Sequence, residues 1–227
     1  MSFDASAYLR RATSRAKSDV ANKLVSMFLH EVSRRLCNSL GLRVNDPRYA
    51  AAVAAAFGSA CCYCGQALES DRTAVEHLDG MNRFRVGLHI PGNVILACTR
   101  CNREKRRDDS MPALTLAESG WESFLSHNSN GCATGCNSCG YWSRVWPEAR
   151  ERALRLAKAR GTIKVFRDNY RQYLELNVKA KATLLQEIGA IYRDCQEFST
   201  ARIKKAVEDV SRELVSVKVV EPNQVVS

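Results

Sequence analysis

Apolar side chains recur every third or fourth position through residues 4–40, with arginine and lysine between them. This spacing places the apolar positions on one face of an α-helix, so it predicts a long amphipathic helix. Gly41 is expected to end that helix. Asp46 followed by Pro47 is typical of a capped helix start, and an alanine-rich helix is predicted over residues 49–57. Packing, dimerisation and contact with DNA are all open roles for the first helix.

The pattern changes between residues 60 and 110, where glycine, asparagine, proline and cysteine become frequent. Short runs at residues 73–75 and 93–96 have the composition of strands, and a polar helix is predicted from Thr99. Two short strands followed by a helix fit this order. The segment therefore predicts a small α+β core inside a chain that is otherwise mainly α.

The remainder of the chain returns to helical spacing. A helix is predicted over residues 113–126, a cysteine-rich loop over 127–140, and helices over 147–215 with a break at Gly161. The expected organisation has three parts. They are a helical N-terminal segment at residues 1–58, the α+β core at 59–112 and a helical C-terminal region at 113–227.

The charge balance narrows the class of partner. The 227 residues include 34 lysines and arginines against 24 acidic residues, which gives a formal net charge of +10 and an isoelectric point near 9.2. Proteins this basic most often bind a polyanion, usually nucleic acid, although a basic surface also serves solubility. No apolar run reaches the ~18 residues of a membrane span, and the start lacks the apolar run of a signal peptide. A cytoplasmic protein without membrane contact is expected.

Ten cysteines in such a chain favour metal binding over disulfides. Cys61 and Cys64 form one Cys-x-x-Cys pair, and Cys98 and Cys101 form another. This spacing lets two sulfurs occupy two corners of a zinc tetrahedron, and two such pairs complete it. The 33 residues between the pairs are enough for a hairpin to leave and return. Buried free thiols are the alternative, but they would leave the matched spacing unexplained.

The sequence around these cysteines carries a family resemblance. It reads C-C-Y-C-G, then E-H, then G-N, then C-T-R-C-N-R-E-K. In this order and combination it resembles the HNH nuclease family, which has the ββα-metal fold. The resemblance covers about 50 of the 227 residues. It implies a zinc-stabilised nuclease core flanked by helical extensions.

The resemblance implies a role for each polar residue of the motif. His77 would be the general base that takes a proton from the attacking water. Asn93 would orient the histidine, or close the loop between the strands, by hydrogen bonding. Asn102 resembles the asparagine of phage junction-resolving nucleases, which binds the catalytic Mg²⁺ or Mn²⁺ through its amide oxygen. Glu76 would be the second protein ligand, where aspartate is commoner in the family.

Further residues near the motif are candidates for supporting roles. Asp79 is expected to be a turn residue, with a spare metal ligand as the alternative, and His89 could assist or replace His77. Basic residues on or beside the motif could contact phosphates flanking the cut, although a solvated helix face is the alternative. These basic residues are Arg83, Arg85, Arg100, Arg103, Lys105, Arg106 and Arg107.

A second cysteine cluster lies outside the resemblance. Cys132, Cys136 and Cys139 could supply three ligands to a second structural zinc. His127 is the favoured fourth ligand, with Cys37 or Cys195 as distant alternatives. A cysteine-rich loop without metal is the competing interpretation.

The predicted function is that of a Mg²⁺-dependent endonuclease acting on double-stranded DNA, in the form of a sequence-specific restriction-type enzyme. Such an enzyme would be a homodimer, because one active site cuts one strand and two-fold symmetry matches a palindrome. A phage-type resolving or homing nuclease is an alternative. A zinc-stabilised nucleic-acid-binding protein without catalytic activity is another.

Overall fold

The computed structural model describes residues 5–108, 120–127 and 136–214. Most of these residues are helical, and two short strands form a sheet. The helices are α1 (Ala5–Leu40), α2 (Pro47–Phe57), α3 (Thr99–Asp108), α4 (Gly120–Ser126), α5 (Asn137–Val145), α6 (Ala149–Asp168) and α7 (Arg171–Leu214). The strands are β1 (Thr73–His77) and β2 (Val94–Cys98), and a 3₁₀ turn at Ser70–Arg72 precedes β1. The prediction of a mainly α chain with a small α+β element is confirmed.

The chain divides into two compact units. Residues 25–186 form the larger unit, which contains both strands and the whole predicted motif. Residues 1–24 and 187–227 form the smaller unit. In its described part, Ala21, Ile188 and Cys195 are buried, and the Tyr192 hydroxyl is hydrogen-bonded to Asn22.

The boundary between the first two helices lies where the sequence predicts it. Gly41 has a φ of 77°, and its N–H donates to the Cys37 carbonyl at 2.9 Å, which closes α1. Asp46 caps α2 by accepting a 2.9 Å hydrogen bond from the Arg48 N–H. Pro47 occupies the first helical position, where no N–H donor is needed. Local chemistry therefore fixes both helix ends.

The two strands form an antiparallel hairpin, and α3 follows it directly. His77 pairs with Val94, so β1 ends beside the start of β2. The outer edge of β2 is partly covered, because the Cys62 N–H donates to the Leu96 carbonyl at 3.1 Å. α3 begins at the residue after Cys98 and packs against both strands. The predicted order of strand, strand and helix is confirmed.

The core beside this sheet is aromatic. Phe124 of α4 packs edge-on against Tyr63 and Trp142, with ring centroids 5.1 and 4.9 Å apart. Trp142 of α5 stacks on Trp146 at 5.0 Å, and its indole N–H donates to the Phe124 carbonyl at 2.9 Å. Burying each such side chain contributes about 1.5–3 kcal/mol. These contacts fix α4 and α5 against the segment that carries the first cysteine pair.

The C-terminal helices differ from the sequence prediction at two points. α6 continues through Gly161, so the predicted break there is wrong. A glycine costs a helix only about 1 kcal/mol, and buried Leu156, Ile163 and Phe166 hold α6 on both sides of it. Cys139 lies within α5, whereas the sequence predicted a loop there.

Some predictions fall partly outside the described residues. The helix predicted at residues 113–126 is described only from Gly120, where α4 begins. The cysteine-rich loop is described only at residue 127 and from residue 136, so Cys132 lies outside the described residues. Within the described ranges, no helix combines the length and apolar character needed to cross a membrane.

Candidate functional site

Four cysteines converge where the sequence predicts a zinc site. The sulfur atoms of Cys61, Cys64, Cys98 and Cys101 lie within 4.8 Å of one another. The Cys64 and Cys98 sulfurs are 3.9 Å apart. Two corners of a tetrahedron with Zn–S bonds of about 2.3 Å are separated by about 3.8 Å. All four are buried except Cys64, which is partly exposed. The donor set and its spacing therefore fit a tetrahedral zinc ion.

Local backbone geometry presents each cysteine pair to this centre. In the first pair, the Gly65 N–H donates to the Cys61 carbonyl at 2.9 Å, and Gly65 has a φ of 70°, which favours glycine. In the second pair, Cys98 is the last residue of β2. The backbone N–H of Cys101, in the first turn of α3, lies 3.4 Å from the Cys98 sulfur. A tight turn and a helix start thus supply the two halves of the cluster.

Hydrogen bonds among the thiols favour the thiolate form at two of the four cysteines and oppose it at the others. Bonds to Cys61, Cys64 and Cys98 raise the pKa of Cys101, and the pKa of Cys64 is raised as well. Bonds from Cys101, and then from Cys62 and the other thiols, hold the pKa of Cys61 well below its usual value. A bond from Cys101 also lowers the pKa of Cys98 to about 7. The Tyr141 hydroxyl lies 2.8 Å from the Cys101 sulfur, so α5 offers a hydrogen-bond donor to a Cys101 thiolate.

Glu76 is buried in an ion pair. Its Oε1 atom accepts a hydrogen bond from the Tyr63 hydroxyl at 3.2 Å and contacts the ammonium group of Lys105, which also donates to the His77 carbonyl. Successive side chains of a strand point to opposite faces, so Glu76 faces α3 whereas His77 faces away from it. Lys105 was predicted to contact a DNA phosphate. Its ammonium group is instead buried and paired with the Glu76 carboxylate, so it is not available to a phosphate.

His77 ends β1 and contacts His89, which in turn lies beside His30; the chain has four histidines. The His77 Nε2 atom is 2.9 Å from Nδ1 of His89, and the ring of His30 on α1 is centred 5.2 Å from the His89 ring. Burial and the adjacent His89 lower the pKa of His77 to about 3, and burial also lowers the pKa of His89. A neutral imidazole carries one N–H. With that N–H on Nε2 and donated to His89, Nδ1 of His77 is the nitrogen that can accept a proton.

α1 holds His89 in place, which the sequence did not reveal. Ser33 is buried, and its hydroxyl oxygen accepts a 2.8 Å hydrogen bond from the His89 N–H. The buried Cys37 thiol lies 3.9 Å from the His89 carbonyl. Together with His30, these residues recur at spacings of three and four, so they occupy one face of α1. These polar residues interrupt an otherwise apolar face of α1, and that interruption is the sequence feature that could have predicted the contact with His89.

Asn93 ties the loop between the strands together. It is fully buried, and its side-chain oxygen accepts a 2.7 Å hydrogen bond from the Asp79 N–H. Its amide group donates to the Asp79 and Leu88 carbonyls at 3.0 and 2.8 Å. The two ends of the loop are therefore joined through one side chain. This geometry accords with the loop-closing role that the family resemblance implies.

Asp79 links the same loop to α6. Its Oδ2 atom accepts a 2.8 Å hydrogen bond from Arg167, whose guanidinium also lies over the Trp121 ring at 5.7 Å. Gly87 packs so closely that an added Cβ would lie 1.8 Å from the Asp79 carbonyl oxygen, so only glycine fits there. Asp79 therefore lies in a structured turn, as the sequence indicated.

The remaining motif residues lie on α3 and in the loop. Asn102 follows Cys101 and precedes Lys105 by three positions, so it lies on the same side of α3 as Lys105 and is half-buried. The predicted phosphate-binding arginines differ in exposure. Arg83, Arg100 and Arg103 are exposed, Arg85 is half-buried, and Arg106 and Arg107 lie in α3 with side chains outside the described part of the structure.

A second group of possible metal ligands joins α4 to α5. His127, Cys136 and Cys139 bring one ligand atom each to within 4.8 Å of the others, and His127 Nδ1 is 2.9 Å from the Cys136 sulfur. Burial opposes ionisation of Cys136, but hydrogen bonds from the Cys139 N–H and His127 lower its pKa to about 7. This group could hold a metal ion such as zinc. Cys37, one alternative ligand, lies beside His89 instead.

The chain was compared with known protein families, with characterised proteins and with solved structures. None of the three comparisons found a match. The residues and their geometry therefore carry the functional assignment.

Proposed function

We propose that this chain is a zinc-stabilised endonuclease of the HNH type that hydrolyses phosphodiester bonds of double-stranded DNA. The proposal rests on one arrangement of residues around the β1–β2 hairpin. The four-cysteine cluster closes a β1–β2–α3 unit in which His77 ends the first strand and Asn93 ties the loop between the strands. The net charge of +10 supports a polyanionic substrate.

His77 is the proposed general base. It is uncharged at neutral pH because its pKa lies far below 7, and with its Nε2–H donated to His89 its Nδ1 atom would take the proton from water. The water oxygen then forms a bond to phosphorus, and the bond from phosphorus to the leaving oxygen breaks. A nearby phosphate would raise the pKa of His77, since a negative charge favours the imidazolium. His89 positions the ring by binding Nε2.

Mg²⁺ or Mn²⁺ is the proposed catalytic cofactor, with Glu76 and Asn102 as its protein ligands. Such a cation would stabilise negative charge on the scissile phosphate. The residues fit this role only in part. Carboxylate and amide oxygens are suitable donors, but Glu76 is buried and its charge is balanced by Lys105. Cation binding at Glu76 therefore requires Lys105 to leave that carboxylate.

Basic residues around the motif are proposed to hold the DNA backbone. Arg83, Arg100 and Arg103 are exposed and can reach phosphates flanking the cut. Arg85, Arg106 and Arg107 remain candidates on their sequence position. Lys105 leaves this set because it is buried.

A restriction-type homodimer is the proposed form of the enzyme, since two copies of one active site are needed to cut both strands of a palindrome. A phage-type resolving nuclease or a homing nuclease would use the same site on a different substrate. The alternative of a different class is a zinc-stabilised nucleic-acid-binding protein without activity. The buried Glu76–Lys105 pair favours that alternative, because it withholds a metal ligand.

Plasmid cleavage tests the catalytic assignment. With Mg²⁺ or Mn²⁺, His77→Ala is expected to lower the cleavage rate by at least ~100-fold, because a general base contributes about 10²–10⁴-fold. Zinc content and circular dichroism equal to wild type would show that the fold is intact. Equal cleavage by the two proteins, or cleavage by neither with either metal, would remove the enzyme assignment and leave the binding protein.

A further inference from the structure

α6 carries much of the positive charge of the chain. Its 20 residues include seven lysines and arginines and two acidic residues, so it contributes +5 to the formal net charge of +10. Both acidic residues already have partners: Glu151 pairs with Arg155 at 3.2 Å, and Asp168 pairs with Arg171 at 3.3 Å. The proposed nuclease site makes no use of this charge.

Arg160 and Lys164 are among the exposed cations of α6, together with Arg150 and Lys158. Arg152, by contrast, is buried and donates to the Trp146 and Pro147 carbonyls at 2.7 and 3.1 Å, so it is structural. Arg160 and Lys164 are exposed, and within the described part of the chain neither forms a hydrogen bond or an ion pair. Their charge is therefore available to a ligand.

These two residues lie on the same edge of α6 as Arg167. At 3.6 residues per turn, spacings of four and three place the three side chains within an arc of about 60° and over about 10 Å of helix. We name Arg160, Lys164 and Arg167 the basic edge. One end of the basic edge reaches the motif, because Arg167 donates to Asp79, two residues after His77. The basic edge therefore extends along α6 from the loop that follows His77, the proposed general base.

We propose that the basic edge binds the phosphate backbone of double-stranded DNA and holds the duplex against the His77 site. Arg160 and Lys164 make the phosphate contacts, whereas Arg167 keeps its ion pair with Asp79. The choice of double-stranded DNA rests on the proposed function, and the choice of a polyanion rests on exposed charge without a partner. Such contacts release counterions and contribute affinity that does not depend on base sequence.

The opposite side of α6 provides a matched control. Arg155 and Lys158 are also exposed, but they lie about 140–160° round the helix from Arg160. They line a groove beside the turn of the first cysteine pair. Replacing either pair by glutamine removes two positive charges from the same helix, and glutamine is as good a helix former as lysine or arginine. A difference between the two variants therefore reports position rather than net charge.

The test measures binding of a short fluorescein-labelled DNA duplex by anisotropy over a series of salt concentrations, without added divalent cation. Arg160→Gln with Lys164→Gln is expected to weaken binding on the order of tenfold at about 0.1 M salt. It should also reduce the steepness of log K against log salt by about 1.8, because each phosphate contact contributes about 0.9. Arg155→Gln with Lys158→Gln is expected to keep the wild-type slope. Circular dichroism and zinc content confirm that both variants are folded.

Equal losses in the two variants, or no loss in either, would overturn the proposal. Tighter binding to a double-stranded RNA of the same sequence than to DNA would overturn it as well. Failure of the nuclease assignment has a different signature. In that case the duplex still binds through Arg160 and Lys164, but plasmid remains intact with Mg²⁺ or Mn²⁺. That result supports the basic edge and removes only the catalytic role.

Discussion

The two clusters of possible metal ligands differ in how much of the chain they join. In the four-cysteine cluster, two ligands precede β1, one is the last residue of β2 and one lies in the first turn of α3, so the ligands join the two ends of the hairpin. In the second cluster, His127, Cys136 and Cys139 come from the end of α4 and the start of α5. The first cluster therefore closes a long-range unit, whereas the second joins two neighbouring helices.

The ligands of the four-cysteine cluster are also more buried than those of the second cluster. Only Cys64 of the first cluster is partly exposed, whereas His127 and Cys136 of the second are both partly exposed. A small hairpin has little core of its own, so a metal bound by the cluster that ties its ends would stabilise its fold. α4 and α5 already share the aromatic core around Trp142. With a metal bound, we expect the same Cys-x-x-Cys spacing to have a folding role in one place and a reinforcing role in the other.

The largest expected effect is loss of the four-cysteine cluster. Cys98→Ser removes one sulfur ligand and should unfold the β1–β2–α3 unit. Structural zinc supplies about 10–16 kcal/mol in small zinc domains, which is comparable to the 5–15 kcal/mol that keeps a whole domain folded. Circular dichroism and zinc content measure the outcome, with loss of both structure and one zinc expected.

Cys62→Ser is the matched control for this change. Cys62 is a buried thiol next to Cys61, but it is not one of the four converging sulfurs. The variant should retain its zinc and its fold. A folded Cys98→Ser protein, or an equally unfolded Cys62→Ser protein, would contradict the assignment of the four sulfurs to a structural metal.

Local signals in the sequence predicted the parts of this region that depend on short spacings. The two Cys-x-x-Cys pairs, the cap at Asp46 and the glycine at residue 41 each act over a few residues, and the structure has all of them as expected. Asn93 was expected either to orient the histidine or to close the loop, and three of its side-chain hydrogen bonds are made to residues of that loop. Such features follow from residue type and local backbone chemistry.

Partners that are distant along the chain could not be predicted in this way. Ser33 binds the His89 backbone across 56 positions, and Lys105 reaches Glu76 across 29. Both contacts depend on how α1 and α3 pack against the hairpin, and helix packing leaves no fixed spacing in the sequence. The adjacent pair Glu76-His77 shows the consequence, because strand alternation sends the two side chains into different surroundings.

A smaller effect is expected from the second cluster. Cys139→Ser should lower the zinc content by one ion and leave the β1–β2–α3 unit folded. A crosslink that closes a loop of about ten residues contributes about 2–3 kcal/mol, and a metal clip acts similarly. The melting temperature should therefore fall by roughly 5–10 °C. Complete unfolding, as expected for Cys98→Ser, would show that the two clusters have the same role.

The smallest expected effect tests the link between the clusters. Tyr141 lies two residues after Cys139 on α5, and its hydroxyl contacts the Cys101 sulfur at 2.8 Å. Tyr141→Phe removes this donor from a charged acceptor, which should cost about 1.5 kcal/mol. Zinc should then leave the four-cysteine cluster about tenfold faster when a chelator is added, since 1.4 kcal/mol corresponds to a factor of ten. Absorbance of the zinc–chelator complex gives the rate.

Tyr173→Phe is the control for this last change, because it removes a hydroxyl whose contacts are long bonds of 3.4 and 3.3 Å to the Leu40 and Leu42 carbonyls. Its zinc release should match wild type. If Tyr141→Phe also matches wild type, α5 contributes packing alone and the two clusters are independent. If Cys139→Ser speeds zinc release from the first cluster as much as Tyr141→Phe does, the second cluster acts on the first by holding Tyr141 in place.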